Sequence, residues 1–214
     1  PQRLGETPSA DAVAAARLSV TMPLSAPDAS HSIAMAAFGM PAAQWLALET
    51  VVDLQTWAKA GRTATARFIA LALQAVTGTS AAIAQHALLP VQLDDPGAAS
   101  LAQALDEDPE FSRLPHWQGA AAETGALARH QQQPLLRALM AHDRTRTMAR
   151  LVARLREMAL LLLDEHSVSL GTLQRQPGSG MAWVENARGL LLHQVQLDDR
   201  GQQVLSYRIV APTE

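Results

Sequence analysis

Three short segments in the second half of the chain carry side chains whose types could support binding or chemistry. They cover residues 123–129, 185–193 and 207–213, and we name them the first, second and third motifs. Each contains an arginine, accompanied by glutamate, histidine, tyrosine or threonine. Such side chains bind ligands through hydrogen bonds and charge. The first two motifs are not explained as parts of a regular helix or hairpin, so they are the main candidates for function.

The remaining residues exclude several classes of active site. Because the chain has no cysteine, it cannot form a disulfide, an iron–sulfur cluster or a thiolate zinc site from its own residues. The seven histidines include no pair at i and i+4, the helical spacing of zinc ligands, and no phosphate-binding loop or Gly-x-Ser-x-Gly elbow is present. The sequence therefore predicts no catalytic residues. We expect His193 and Glu185 to be structural hydrogen-bonding partners rather than metal ligands.

Composition narrows the protein class and the partners. Apolar residues make up 48% of the 214 residues and aromatic residues only 4%, so the core must consist mainly of alanine, leucine, valine and methionine. This balance favours helices. A net charge of −3 gives no basic surface for nucleic acid. No apolar run of transmembrane length and no secretory signal is visible, so we expect no membrane insertion and a cytoplasmic location.

The elements that must position the motifs follow from periodicity and turn residues. They predict one domain over residues 1–214, mainly α-helical with a small C-terminal β-hairpin (α+β). Gly61 is expected to end the first helix of a helical hairpin, and Gly201 to supply a positive φ in the turn of the β-hairpin. The predicted elements are a partly looped segment 1–30, a helical hairpin 41–76, a long helix 134–165 and a β-hairpin 188–210.

The motifs together resemble one known family. The first is Glu-Thr-Gly-Ala-Leu-Ala-Arg, with Trp117 and Gly119 before it, the second is Glu-Asn-Ala-Arg-Gly-Leu-Leu-Leu-His, and the third is Tyr-Arg-Ile-Val-Ala-Pro-Thr. The sequences of these motifs and their order along the chain are similar to those of the nickel–iron hydrogenase large-subunit superfamily. The resemblance covers residues 111–214 well and implies a reduced large-subunit-like fold.

The chain departs from the catalytic pattern of that superfamily. Large subunits hold nickel and iron through two Cys-x-x-Cys pairs; the early pair is absent here, and the later one would lie beyond Glu214. Ala187 replaces the proline before the signature arginine, and Glu214 stands where a second threonine is usual. These motif sequences most resemble those of the HupK/HoxV maturation family. The resemblance implies a hydrogenase maturation scaffold or chaperone that is not an enzyme.

The resemblance also implies a site. Arg188 and Thr213 match positions that donate hydrogen bonds to iron-bound cyanide, and Ala187 and Ala211 match small residues beside the diatomic ligands. Without thiolates the chain would hold no cofactor stably, and the Fe(CN)2(CO) group would be bound transiently, with thiolates from a partner or from missing termini. The implied partners are the small maturation chaperone, the iron-loading proteins or the immature hydrogenase large subunit.

Three alternatives remain open at the level of sequence. The chain could be a truncated catalytic large subunit, or an adaptor of the same fold without cofactor contact. Arg188 could form a salt bridge with Glu185 instead of binding a ligand. Glu123 and Arg129 are predicted to form an ion pair that fixes their loop.

Overall fold

The computed structural model describes residues 27–77, 87–89, 95–141, 145–165 and 169–212. Within these residues the chain divides into two compact units, here called the helical unit and the sheet unit. The helical unit comprises the described parts of residues 24–88 and 126–167, and the sheet unit those of residues 89–125 and 168–214. No described helix is long and apolar enough to cross a membrane. The single-domain expectation stays a prediction.

The described residues contain eight helices and seven strands. In chain order the elements are α1 (Pro27–Phe38), α2 (Ala42–Leu46), α3 (Val51–Ala60), α4 (Ala64–Thr77), β1 (Ala87–Leu88), α5 (Asp95–Glu107), β2 (His116–Trp117), β3 (Ala120–Glu123), α6 (Ala126–His130), α7 (Pro134–Met140), α8 (Arg146–Leu162), β4 (Leu170–Gln176), β5 (Ser179–Asn186), β6 (Gly189–Leu197) and β7 (Val204–Val210).

Aromatic packing organises the core of the helical unit. The Phe38 and Trp45 rings stack with centroids 4.8 Å apart, and Trp57 meets Trp45 edge-on at 5.7 Å. Trp57 Nε1 donates a hydrogen bond of 2.8 Å to the carbonyl of Phe38, so this large ring is buried without losing its polar partner. The apolar face of α8, including Met148 and Val152, belongs to the same core.

The predicted helical hairpin 41–76 is confirmed in its second part and wrong at its start. Helices α3 and α4 pack against each other, and Gly61 ends α3 with φ of +60° as expected. The first helix is nevertheless interrupted between α2 and α3. Thr50 accepts a hydrogen bond from Asp53 N at 3.1 Å, and Asp53 Oδ2 accepts one from Thr50 N at 3.0 Å. This reciprocal capping box starts a new helix at Val51.

Two other predicted boundaries need correction. Residues 1–26 of the predicted looped segment lie outside the described residues, but residues 27–30 form the first turn of α1 rather than a loop. The long helix predicted over 134–165 is two helices, α7 and α8. The Thr145 hydroxyl donates to the carbonyl of Leu139 near the end of α7. A side chain that binds a terminal helix carbonyl in this way replaces the continuing intrahelical bond.

A four-stranded antiparallel sheet dominates the sheet unit. Its strand order is β4-β5-β6-β7, so neighbouring strands are also consecutive in sequence. The predicted hairpin 188–210 is confirmed as β6 and β7, with Leu192 opposite Val210. Asp198 Oδ1 accepts from Gln202 N at 2.7 Å and Gln203 N at 3.1 Å, and Gly201 takes a φ of +66°. The hairpin turn therefore forms as the sequence predicts.

Helix α5 covers one side of this sheet, which we call the inner side. Its residues Leu101 and Leu105 pack into the same core as Met181, Trp183 and Leu192. Polar contacts add to this packing. Gln194 Nε2 donates to Ala102 O at 3.2 Å and to Asp106 Oδ1 at 3.1 Å, and Arg175 forms an ion pair with Asp106.

The fold is a mixture of helix and sheet, so "mainly α-helical with a small C-terminal hairpin" was too narrow. Strands β4 and β5 were missed because they contain glycine, glutamine and serine, which have weak strand preference. Their pairing depends on packing that sequence neighbours do not reveal. A Cβ at Gly171 would lie 2.3 Å from Trp183 Cζ2, so this strand glycine makes room for a core ring on the next strand.

Removing the cap of α3 should lower stability by a measurable amount. Thr50→Ala removes the hydroxyl that accepts from Asp53 N and donates to Asp53 Oδ2, and we expect the free energy of unfolding to fall by about 1 kcal/mol. Thr56→Ala is the matched control, since Thr56 lies inside the same helix and its hydroxyl donates to the Val52 carbonyl. Urea unfolding followed by circular dichroism measures both; equal losses would contradict the capping role.

Candidate functional site

The turn between β5 and β6 presents the signature arginine. Asn186 pairs with Gly189, which leaves Ala187 and Arg188 at the tip. Asn186 Oδ1 accepts a hydrogen bond of 2.8 Å from Arg188 N, an Asx-type contact that fixes the turn. Both Ala187 and Arg188 are exposed. No described residue forms an ion pair or hydrogen bond with the Arg188 guanidinium, so the alternative salt bridge to Glu185 does not form.

The structure brings the first motif into contact with the second. Thr124 Oγ1 accepts a hydrogen bond of 3.1 Å from Leu190 N, the first amide of β6 after Gly189. A Cβ added to Gly125 would lie 2.8 Å from Arg188 O. The backbone of the first motif therefore lies directly against the turn that carries Arg188.

Both glycines at this contact are required by geometry. Gly125 has φ of +94° and Gly189 φ of +141°, values that residues with a Cβ rarely adopt. A Cβ at Gly189 would be 2.2 Å from Thr124 Oγ1, far inside van der Waals distance. Gly189 therefore permits a close backbone approach, and the segment that approaches is the first motif.

A side-chain contact joins the second motif to the third. His193 Nδ1 and Tyr207 Oη lie 2.5 Å apart, with ring centroids at 5.8 Å. His193 is the last residue of the second motif and Tyr207 the first of the third. The prediction that His193 is a structural hydrogen-bonding partner is confirmed. No group of three metal-binding side chains of the His, Cys, Asp or Glu type occurs among the described residues, which include Glu185.

The remaining implied site residues are only partly placed. Because Val210 pairs with Leu192, β7 ends at the same end of the sheet as the turn with Ala187 and Arg188. Ala211 follows there and is half-buried. Thr213 lies outside the described residues, so its meeting with Arg188 stays a prediction. No contact among the described residues assigns a ligand to Ala187 or Ala211.

The last residue of the first motif has a buried partner in the helical unit. Arg129 on α6 donates from Nε to Glu157 Oε1 on α8 at 2.6 Å and from Nη2 to Glu157 Oε2. His130 Nε2 lies 3.4 Å from Glu157 Oε1. Arg129 and Glu157 are both buried. The predicted Glu123–Arg129 pair stays a prediction.

Electrostatics keep Glu157 charged despite its burial. Burial raises the pKa of this carboxyl, but the hydrogen-bonding and electrostatic interactions with His130 and Arg129 outweigh that effect and lower the pKa to about 2. Since the folded-state pKa is lower than the unfolded one, the pair stabilises the fold fully above about pH 4.5. The stabilisation is lost as the pH falls towards 2.

Sequence reasoning missed two residues that the structure makes important. Thr124 belongs to the first motif, and the signal for its turn contact was its position beside Gly125. Glu157 was hidden within α8, but it lies four residues after Ala153 and eight after Ala149, both buried. One acid on the buried stripe of a helix signals an interior partner.

Replacing Gly189 should open the contact between the first two motifs. We expect Gly189→Ala to cost about 2–5 kcal/mol of unfolding free energy, because the new methyl meets Thr124 and the backbone is strained. Gly119→Ala is the control, since Gly119 has φ of +80° but no atom within 4 Å of an added Cβ. Chemical denaturation compares them; a cost for Gly189→Ala no larger than for the control would contradict the close contact.

Removing the buried carboxylate should leave Arg129 uncompensated. We expect Glu157→Gln to lower the free energy of unfolding by about 3–5 kcal/mol at pH 7. The difference from wild type should shrink between about pH 4.5 and pH 2, where Glu157 itself takes up a proton. The control is Glu110→Gln, which breaks an exposed pair with Arg113. Denaturant titrations across this pH range measure the effect. A difference in unfolding free energy between Glu157→Gln and wild type that is independent of pH would refute the buried charge pair.

Comparison with known proteins adds an independent finding. The chain is 37% identical over 127 residues to "Hydrogenase expression/formation protein HoxV" of Cupriavidus necator, a match that covers 53% of this chain and 32% of that protein. It is 33% identical over 126 residues to "Hydrogenase expression/formation protein HupK" of Rhizobium leguminosarum bv. viciae, covering 54% and 32%.

The chain thus spans about a third of the length of the curated relatives it matches. No protein-family model matches the sequence, and no solved structure matches it. The large-subunit-like fold therefore stays a prediction. Over roughly half of its length, the chain is similar to proteins named for hydrogenase expression and formation.

Proposed function

We propose that this chain acts in hydrogenase maturation as a non-catalytic scaffold that assists assembly or transfer of the Fe(CN)2(CO) group. In this proposal the iron group is cargo, and the turn with Ala187 and Arg188 contacts its cyanide ligands. The observation that carries the proposal is the packing of the first motif against the second. It presents Arg188, whose guanidinium has no partner among the described residues, at the end of the sheet.

The similarity to the two expression/formation proteins supports the maturation role. The contacts between motifs support the idea that they act as one unit. Thr124 binds the start of β6, and His193 binds Tyr207 on β7, so segments distant in sequence are joined in the sheet unit.

The chemistry of Arg188 suits the outer surface of the iron group. Iron-bound cyanide is a negatively charged hydrogen-bond acceptor, and a guanidinium offers several donors in a fixed plane while it remains charged. Arg188 is exposed, and its backbone is fixed by Asn186 while its guanidinium is free of described partners. Donors of this kind bind the ligands and leave the metal itself uncovered.

The metal ligands must come from elsewhere. Iron with cyanide and carbonyl ligands prefers thiolates, and this chain contains no cysteine. A maturation partner, the immature large subunit or termini outside this sequence would therefore supply them. The small maturation chaperone and the iron-loading proteins are partners of the right chemistry. Such an arrangement favours release of the cargo, because Arg188 contributes hydrogen bonds rather than metal bonds.

Replacing Arg188 tests the proposal directly. In the full-length native protein, Arg188→Met should reduce active hydrogenase in the producing cells about tenfold or more, the effect of losing charge-assisted hydrogen bonds worth about 1.5–3 kcal/mol. Arg200→Met is the matched control, because Arg200 is an equally exposed arginine in the turn at the opposite end of the sheet. Cyanide and carbonyl infrared bands of the purified protein provide a second readout.

The outcomes distinguish the competing interpretations. Loss of activity and of infrared bands with Arg188→Met alone supports the scaffold. Normal maturation with Arg188→Met would favour an adaptor without cofactor contact. Arg188→Lys should have an intermediate effect, since lysine keeps the charge but lacks the planar set of donors. Two Cys-x-x-Cys pairs flanking this region in the native gene would instead indicate a catalytic large subunit.

A further inference from the structure

Strand β7 leaves an apolar edge on the sheet. It is the last strand in the order β4-β5-β6-β7, and no described strand pairs with its other side. An edge strand presents free N–H and C=O groups that can pair with another strand. Its apolar side chains are also strongly exposed: Leu205 is 63%, Tyr207 55% and Ile209 44% accessible.

Most of the strongly exposed apolar side chains of this sheet lie on this edge, although Val184 on β5 is also 37% exposed. On the inner strands, Leu191 and Val195 lie on the same side of the sheet as Tyr207 and Ile209 but are only half-buried rather than exposed. Surface of this kind is covered when a second strand adds to β7. A partner that covered only the centre of the sheet would leave Leu205 and Tyr207 in water.

The charges of the sheet do not oppose such an addition. Its four strands contain three charged residues, Arg175, Glu185 and Arg208. Arg175 contacts Asp106 of α5, and Glu185 and Arg208 stand opposite the buried residues Leu190 and Gln194 on the inner side. The side of β7 that carries Tyr207 and Ile209 is therefore free of like charges that would repel an identical strand.

The sequence of β7 is almost symmetrical about its centre. In Val-Leu-Ser-Tyr-Arg-Ile-Val, antiparallel pairing of two copies centred on Tyr207 sets Leu205 opposite Ile209 and Val204 opposite Val210. Ser206 then lies opposite Arg208, so the two arginines of the pair are not placed against each other. Arg208 Nη1 is buried and has no hydrogen-bond partner among the described residues. Centring the pair on Arg208 would place two arginines against each other.

We propose that β7 pairs antiparallel with β7 of a second copy of this chain about a two-fold axis at Tyr207. The pairing joins two four-stranded sheets into one of eight strands and covers the exposed side chains of both edges. A two-fold axis makes each contact twice, which suits a strand that is complementary to itself. Pro212, which has no N–H to donate, follows β7 and limits the paired length.

Sedimentation of the full chain provides the first test. At about 100 µM, well above a micromolar Kd, we expect a dimer. Leu205→Lys should raise the dissociation constant about tenfold or more, because it places a charge in both apolar pairs at the seam. The control is Leu114→Lys, since Leu114 is also 63% exposed but lies outside the sheet. A monomer at this concentration would overturn the proposal.

Cross-linking provides the second test. The chain has no cysteine, so a single introduced cysteine reports on its own neighbours. Tyr207→Cys should form a covalent dimer under mild oxidation, because residues on the axis of an antiparallel pair have Cα atoms about 4.5–5.5 Å apart, within disulfide reach. Leu114→Cys should not. A dimer that resists Leu205→Lys and fails to cross-link through Tyr207→Cys would show a different interface and refute the proposed one.

Discussion

The contact between Thr124-Gly125 and Arg188-Gly189 is the constraint on which the candidate site depends. Two backbone segments more than sixty residues apart approach so closely that a Cβ on either glycine would collide with the other segment. Only glycine permits both the distance and the positive φ angles. The Thr124 hydroxyl then satisfies the Leu190 amide, which the turn would otherwise leave without a partner. The position of Arg188 is a consequence of this packing.

Other contacts extend that constraint through the sheet unit. The His193–Tyr207 contact ties the second motif to β7, and Gln194 ties β6 to α5 through the Ala102 carbonyl and Asp106. The strand that begins at Gly189 is therefore held on both of its faces. The turn that precedes this strand therefore has a fixed backbone, while the Arg188 side chain at its tip remains exposed. A binding residue needs both properties.

Local signals in the sequence predicted the features that local physics determines. The turn at Asp198 and Gly201 and the helix end at Gly61 formed as expected, because side-chain capping and positive φ depend on neighbouring residues. Strands β4 and β5 could not be predicted, because the role of a residue such as Gly171 depends on its contact with the Trp183 ring. The local sequence does not reveal that contact. The partner of Arg129 was missed for the same reason, since Glu157 is 28 residues away. The motif sequence identified Arg188, but it could not reveal that Thr124 positions the turn that carries Arg188.

In the proposed function, the described residues contact the iron group through hydrogen bonds, because this sequence contains no cysteine. A chain with thiolates would compete for iron, and the strength of metal–thiolate bonds would oppose transfer to the final enzyme. Hydrogen bonds to the cyanide ligands have a smaller free energy and can be exchanged with donors on another protein. Because Arg188 is exposed and its guanidinium has no described partner, it can contact such a group without first breaking an internal ion pair. Arg129, neutralised by Glu157 inside the helical unit, would have to give up a buried charge pair to do the same.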